Sequence, residues 1–300
     1  MTESYKLIKQ NGDELEFNNY DFFLQGLPNL GNPDIQYTTE TSFFQDGASV
    51  TNFVVSPRAL SLPLLGLSDD VKTRSDFWDF RKQILNFLSP VSGPMTFQIT
   101  IDDHTVYELT SVFPTNGLSM EGNTFTPSRN DGRIEESLSI TAYDPIWRVS
   151  PINTSGELTP TISEELVFPI EFPIVFGGSG AVFDTTINYE GTWRSYPKFT
   201  INGPYNTATF TNKQNDAMFQ MIRPIASGET RIIDLSNPVS GFIVTDGSGN
   251  NKIGEINLNA NFTQFYFVPD ATNGVDAILN GGSISDTKLT IEYFTKYLGI

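Results

Sequence analysis

The stretch Met95-Thr-Phe-Gln-Ile-Thr-Ile101-Asp-Asp-His-Thr-Val-Tyr-Glu-Leu109 reads as a β-hairpin. Met95, Phe97, Ile99 and Ile101 alternate with Thr96, Gln98 and Thr100, so an extended chain here has one apolar and one polar face. Asp102-Asp103 supplies a turn, and Val106-Tyr-Glu-Leu109 begins the return strand. The same period recurs outward along the chain. It is seen in Leu138, Ile140 and Ala142, in Phe199 and Ile201, imperfectly in Ile232 and Leu235, in Ile253, Ile256 and Leu258, and in Leu289, Ile291 and Tyr293. Asn11-Gly12, Asp46-Gly47, Asn116-Gly117, Asp131-Gly132, Asn202-Gly203, Asp246-Gly247 and Asn273-Gly274 punctuate these runs with pairs suited to tight turns. Short strands separated by this turn chemistry imply a mainly β chain built of sandwiches or barrels.

One segment has another period. Between Ser75 and Pro90, Phe77, Phe80, Ile84 and Phe87 or Leu88 fall three and four residues apart, which predicts a helix over about 75–88. Thr73 or Ser75 is placed to cap it, Asp76 and Asp79 lie where the helix dipole favours negative charge, and Pro90 stops it. Its apolar side, with Trp78, is expected to be core. The stretch 150–164 has little periodicity and carries Pro151, Gly156 and Pro160, so it is read as a connector. The expected domains are therefore 1–150 and 165–300, with a linker over 151–164. Beyond it, Pro169 and Pro173 in the run 166–177 predict an extended arm or edge strand.

Composition excludes several chemistries. The 300 residues carry 18 Lys+Arg against 35 Asp+Glu, a formal charge of −17, with charged residues at only 18%. The imbalance comes from missing cations, and a sequence-independent grip on nucleic-acid phosphates needs clustered cations. Zero cysteines excludes disulfides, thiolate metal sites and cysteine nucleophiles. There is no apolar stretch of ~18 residues and no secretory h-region at the N-terminus, so a soluble chain without a membrane span is expected.

No residue pattern points to a catalytic or metal site. His104, the one imidazole, follows Asp102-Asp103 in a turn with no nucleophile elbow nearby. The adjacent acids Asp69-Asp70, Asp102-Asp103, Glu135-Glu136 and Glu164-Glu165 are read as solvated charge, since neighbours on a strand face opposite ways. Asp246-Gly-Ser-Gly-Asn-Asn-Lys-Ile-Gly-Glu255 has oxygen side chains at alternate positions. It has Asn251 where a calcium loop requires Gly, and Asn257 where a bidentate Glu closes it, so it is read as a hairpin loop. Gly177-Gly-Ser-Gly180 precedes no helix and lacks the N-terminus that a phosphate cradle uses. No cofactor is expected.

The order of several segments carries a resemblance. The first half has Tyr5-Lys-Leu-Ile-Lys-Gln-Asn-Gly12, Phe44-Gln-Asp-Gly-Ala48, Ser56-Pro-Arg-Ala-Leu-Ser-Leu-Pro-Leu64, Arg81-Lys-Gln-Ile-Leu-Asn-Phe-Leu-Ser-Pro90 and Leu138-Ser-Ile-Thr-Ala-Tyr-Asp-Pro-Ile-Trp147. The second has Phe172-Pro-Ile-Val-Phe-Gly177, Phe199-Thr-Ile-Asn-Gly-Pro204, Ala226-Ser-Gly-Glu-Thr230 and Leu289-Thr-Ile-Glu-Tyr-Phe-Thr-Lys-Tyr-Leu-Gly-Ile300. Together they resemble the distal tail protein (Dit) family of long-tailed bacteriophages. One departure is Pro269-Asp-Ala-Thr-Asn-Gly274, which stands where the family has a Pro-Gly-x-Asn turn.

The resemblance implies an N-terminal β-barrel-like ring domain with one helix and a C-terminal galectin-like or carbohydrate-binding-module-like β-sandwich projecting outward. It implies a structural virion protein, not an enzyme, assembled in the host cytoplasm and located in the virion tail. Its partners would be further copies in a homohexamer, the tail tube protein, a tail-tip or tail-associated protein and a receptor-binding protein. Genomic DNA would pass through the ring without specific binding. Six copies would carry a charge of about −100, and an acidic channel wall would repel DNA phosphates. Two other functions compete. A carbohydrate-binding tail adhesin would use Trp193, Tyr196 and Tyr205 as sugar-stacking aromatics, although core or interface positions are commoner for such residues. A polysaccharide-degrading enzyme on a β scaffold would need a carboxylate pair that the sequence does not point to.

Overall fold

Strands dominate the computed structural model, which describes all residues except 1–2, 18–21, 25, 27, 45, 68–72, 103, 117–123, 127–130, 163–179, 237–240, 258 and 283–284. The first half forms β1 (Glu3–Ile8), β2 (Glu14–Phe17), β3 (Phe22–Leu24), β4 (Ile35–Glu40), β5 (Ser49–Val55), β6 (Arg58–Leu67), β7 (Met95–Ile101), β8 (Thr105–Pro114), β9 (Thr124–Thr126), β10 (Asp131–Ala142) and β11 (Trp147–Ser150). Helix α1 (Arg74–Phe87) separates β6 from β7. The second half forms β12 (Asn153–Leu158), β13 (Thr161–Ile162), β14 (Gly180–Tyr189), β15 (Lys198–Asn202), β16 (Thr207–Asn212), β17 (Ala217–Met221), β18 (Thr230–Asp234), β19 (Ile243–Asp246), β20 (Ala271–Asn280) and β21 (Lys288–Tyr293). These elements make two compact units. One is Met1–Ser150 with Tyr297–Ile300, the other Pro151–Lys296.

In the first unit one antiparallel sheet runs β2-β1-β7-β8-β10-β6-β3. The alternation around Phe97 sets its centre. Leu7 lies opposite Phe97 and Tyr5 opposite Ile99 on one side. On the other, Leu109 lies opposite Phe97 and Tyr107 opposite Ile99. Between Met95 and Phe97 the register shifts, and Ser111 on the facing strand takes a φ of 54°, the signature of a bulge that bends the sheet. Leu138 and Ile140 of β10 face Leu62 and Leu60 of β6, and all four are buried. A period of two thus delivers every second residue to one core.

Helix α1 starts where its capping residues dictate. The Asp76 backbone N–H donates to Thr73 Oγ1 at 3.2 Å, and the Thr73 N–H donates to Asp76 Oδ2 at 2.8 Å, a reciprocal capping box. Ile84 and Leu88 are buried, as the helical spacing predicts. Trp78, expected in the core, is 41% exposed and lies under the Arg81 guanidinium. Its position is off the Ile84–Leu88 stripe, so the cation and solvent face it instead.

The second unit is a β-sandwich. One sheet runs β12-β21-β15-β18-β19 and the other β13-β14-β20-β16-β17. Phenylalanines lock the two inner faces. The Phe199 ring of the first sheet lies 5.0 Å from Phe210 of the second, and Phe210 stacks on Phe219 at 4.7 Å. Phe265 closes the cluster edge-on to Phe199 at 5.5 Å. Gly203 sits where the chain passes so close to Ala226 that a Cβ would lie 2.4 Å from its carbonyl oxygen.

Four expectations need correction. The connector read over 151–164 supplies edge strands to both sheets of the sandwich. β12 pairs with β21 through a bulge between Thr154 and Glu157, where Gly156 holds φ 70° and Ser155 Oγ accepts the Ile291 N–H at 3.0 Å. A bulged edge strand that is exposed along much of its length loses period two, which is why it looked like a linker. Residues 297–300 belong to the first unit, not to the C-terminal domain assigned over 165–300. The buried pair is Ile233 in β18 and Leu235 just after it, with Ile232 only partly buried. Ile253 and Ile256 lie at a short 3₁₀ turn (Ile253–Glu255) instead of a strand. Leu258 and the 166–177 arm lie outside the described residues.

Phe210→Ala is expected to cost about 3–5 kcal/mol, because the cavity opens between three rings that cannot all close over it. Denaturant unfolding monitored by near-UV circular dichroism measures this directly.

Candidate functional site

Positions singled out for chemistry stay apart. His104 is exposed in the β7–β8 turn, its N–H donating to the Ile101 carbonyl at 3.3 Å. Asp102 takes the left-handed φ of 54° that the turn requires. Glu135 and Glu136 lie in β10 but their side chains, like Asp69-Asp70, Asp103 and Glu164-Glu165, fall outside the described residues. Gly180 begins β14, a strand. Among the described residues no three His, Asp or Glu side chains converge as a metal site would need.

The 246–255 loop is held by its own donors. Asp246 Oδ1 accepts the backbone N–H groups of Ser248 at 3.0 Å and Asn250 at 2.9 Å, and the Asn250 amide reaches both carboxylate oxygens. Lys252 adds its ammonium at 3.6 Å. The Asn250 hydrogen bonds, side-chain first, pull the carboxyl down to about 2. A carboxylate so engaged is the cap of a tight turn.

Of the three aromatics considered for sugar stacking, two are buried. Tyr205 is buried, its hydroxyl donating to Met221 Sδ at 3.2 Å, and Tyr196 is buried with its hydroxyl on the Thr263 carbonyl at 3.2 Å. Desolvation raises both phenols. Trp193 is half-buried with Arg194 over its ring. Tyr196 and Tyr205, inside the core, offer no face to a ligand.

Arg58 is buried, which no pattern in the sequence announces. Its Nε donates to the Pro145 carbonyl at 3.0 Å, its two terminal nitrogens donate to the Gly31 and Leu298 carbonyls, and the guanidinium lies over Trp147. Desolvation lowers it to about 10, still charged at neutral pH. The Ile300 N–H adds a bond to the Leu30 carbonyl at 3.1 Å, so the tail is pinned at two points within the first unit.

The feature best suited to function is an exposed ribbon with bulky apolar residues at its tip. Among the described residues β4 and β5 pair only with each other, and their residues are exposed on both faces. Phe43 and Phe44 at the tip are almost fully exposed, and Tyr37, Val50, Phe53 and Val54 are about half exposed. Phe43 and Phe44 form one cluster at the tip, while Tyr37 and Phe53 share one face of the ribbon and Val54 lies on the other. Its sequence signal was Phe43-Phe44 beside Asp46-Gly47, two bulky apolar residues where turn chemistry calls for polar ones. Two concavities accompany it. A groove of about 400 Å³ lies between the end of α1 and the end of β8, and one of about 150 Å³ lies on the sandwich beside Met218, Gln220 and Asn257.

Comparison with known proteins agrees with this architecture. No family model and no curated protein matches the sequence. Among solved structures, the chain is similar to the Dit protein of phage SPP1, described as a paradigm of the hub adsorption apparatus in phages infecting Gram-positive hosts. Identity is 13%, 97% of this chain and 98% of that chain are covered, and the TM-score is 0.59. It is also similar to a chain of the phage P2 baseplate in its activated conformation, at 10% identity and the same coverage, with TM-scores of 0.53 for the structure with Ca and 0.52 for that with Sr. The fold is thus the distal-tail fold that the ordered segments implied, mainly β with one helix and a sandwich.

Two outcomes are expected. Asp246 should titrate near 2 by carbon-detected NMR. Its pKa is depressed on folding, so its contribution is present above the ordinary carboxyl value and lost as pH falls through about 2. Arg58→Met leaves three carbonyls without their donor and is expected to cost about 3 kcal/mol or more, with faster amide exchange at Ile300.

Proposed function

We propose that this chain is a structural subunit of a bacteriophage tail, a distal tail or baseplate hub protein. The observation that carries this reading is the end-to-end match of both units to a hub protein, with 97% of one chain laid over 98% of the other. A match confined to the sandwich would point to a common β module, since one fold hosts many functions. Both units in the same order, with the helix between β6 and β7, are a far more particular arrangement. The role is architectural, without turnover.

In this reading six copies close a ring that joins the tail tube to the tip, with a tail-associated protein and a receptor-binding protein docking on it. The protein resides in the virion tail and is assembled in the host cytoplasm. DNA passes through the ring during ejection. The charge of −17 per chain supports an acidic lumen that repels phosphates and keeps the genome from sticking.

The purified protein, 33.3 kDa per chain, is expected to assemble into a species of roughly 200 kDa that negative-stain images show as a six-membered ring. Closed rings of another number overturn the hexamer. Rings with a neutral or basic lumen overturn the electrostatic argument.

A further inference from the structure

Five asparagines in this chain precede a glycine: Asn11, Asn116, Asn202, Asn273 and Asn280. Such a pair is chemically labile, because the glycine nitrogen can attack the asparagine carboxamide carbon with no side chain in its path. Nitrogen and carbon must first be brought together, so the geometry of each pair decides whether it reacts. Four pairs are held away from it. Asn116 reaches across to β10, where its Nδ2 donates to the Ser137 carbonyl at 3.0 Å and its Oδ1 accepts the Ser139 N–H at 2.7 Å. Asn202 Oδ1 accepts the Thr230 hydroxyl at 2.8 Å on the neighbouring strand, and Gly203 is buried with its N–H on the Glu229 carbonyl at 2.9 Å. Asn273 is fully buried, and its carboxamide reaches back to Val268 and Ala271. Asn280 turns its Nδ2 to the Thr207 hydroxyl on β16 at 3.0 Å.

Asn11-Gly12, exposed in the turn between β1 and β2, is arranged differently. Asn11 Oδ1 accepts the Asp13 N–H at 3.1 Å, so the carboxamide folds forward over the Gly12 peptide, and the attacking nitrogen lies inside the ring that this bond closes. The same N–H polarises the carbonyl to be attacked. The Gly12 N–H is held by the Lys9 carbonyl at 3.0 Å, a bond within the same exposed turn. Asn29, Asn212, Asn215, Asn251 and Asn257 also fold forward in this way, but each is followed by a residue with a side chain. Asp246 has both the forward turn and a following glycine. The Asn250 hydrogen bonds pull its carboxyl down to about 2, and an ionised carboxylate is a poor electrophile. Among the described residues, Asn11 alone combines an amide, a forward turn and a following glycine.

We propose that Asn11 is a site of spontaneous deamidation, with hydroxide and water as the only reactants besides the chain. The Gly12 nitrogen, having given its proton to hydroxide, bonds to Asn11 Cγ. The Cγ–Nδ2 bond then breaks, and Nδ2 takes a proton from water and leaves as ammonia, which regenerates the hydroxide. Water opens the resulting five-membered imide at one carbonyl or the other, giving aspartate or isoaspartate at position 11. Aspartate sets a second carboxylate where the amide now donates to Asp13 Oδ2 at 2.8 Å, so a hydrogen bond becomes a repulsion. Isoaspartate adds a methylene to the backbone of the turn that fixes the register of β2 on β1. The edge hairpin of the first sheet therefore loosens with age, and as β2 detaches β1 becomes the outer strand.

The test incubates the full chain, folded and in urea, in mildly alkaline buffer at physiological temperature, followed by peptide mapping that separates aspartate from isoaspartate. In urea all five pairs are expected to convert. In the folded protein Asn11 is expected to convert at least about tenfold faster than the other four, with isoaspartate among its products. An Asn11 still unconverted when the unfolded chain has reacted overturns the proposal. So does another pair that reacts as fast, or a product without isoaspartate, the mark of direct hydrolysis. Asn11→Gln, which would have to close a six-membered ring, is expected to leave residue 11 unconverted with unchanged circular dichroism, and conversion at the same rate overturns the imide route. Asn11→Asp is expected to quicken amide exchange at Lys9 and Asp13, whose N–H groups close this turn, and unchanged exchange overturns the loosening.

Discussion

An open antiparallel sheet leaves unpaired N–H and C=O groups along its two outer strands, and much of this structure is arranged around that constraint. β3 ends the first sheet after only three residues, and β2 carries Glu14 and Glu16 against Lys6. In the sandwich, β13 is two residues long and β12 is broken by its bulge. Each device makes pairing with a stray strand unfavourable. The β4–β5 ribbon has a register shift of its own between Thr38 and Thr39 and carries Glu40 at the end of β4. Among the described residues its two strands pair only with each other, and its side chains are a mixture of apolar and polar.

Cations show a second economy of placement. Arg231 is buried and forms a two-point pair with Glu255 at 2.8 and 3.3 Å, and Arg148 pairs with Glu108 at 2.9 Å. Lys213 bridges Asp184 at 3.0 Å and Asp276 at 2.8 Å across the outer face of one sandwich sheet. Lys198 and Lys288 meet Glu292 and Glu157. With many of the 18 cations already neutralising a neighbour or lying in a core, the excess acids set the sign of the outer surface.

What the sequence disclosed follows from how directly a pattern maps onto backbone geometry. Period two around Phe97, Leu138 and Phe199 gave true strands because each is half-buried, and the helix declared itself through Thr73, Asp76 and Pro90 as well as its stripe. Edge strands such as β12 were opaque because little of their surface is covered. Arg58 was opaque for another reason. Its partners are carbonyls from residues 31, 145 and 298, and backbone carbonyls leave no mark in composition. Tyr196 and Tyr205 were legible as aromatics, but only packing distinguishes a buried ring from one offered to a ligand. The hairpin tip was visible as Phe43-Phe44 at a turn, a local inconsistency of the kind that tends to mark function.

The return of Tyr297–Ile300 to the first unit makes the second, topologically, an insertion within it. During synthesis residues 1–150 leave the ribosome long before the four residues that Arg58 clasps through the Leu298 carbonyl. The first unit therefore cannot finish closing until the whole of the second has been made. A chain interrupted anywhere in the sandwich keeps an unclasped guanidinium and an incomplete first unit.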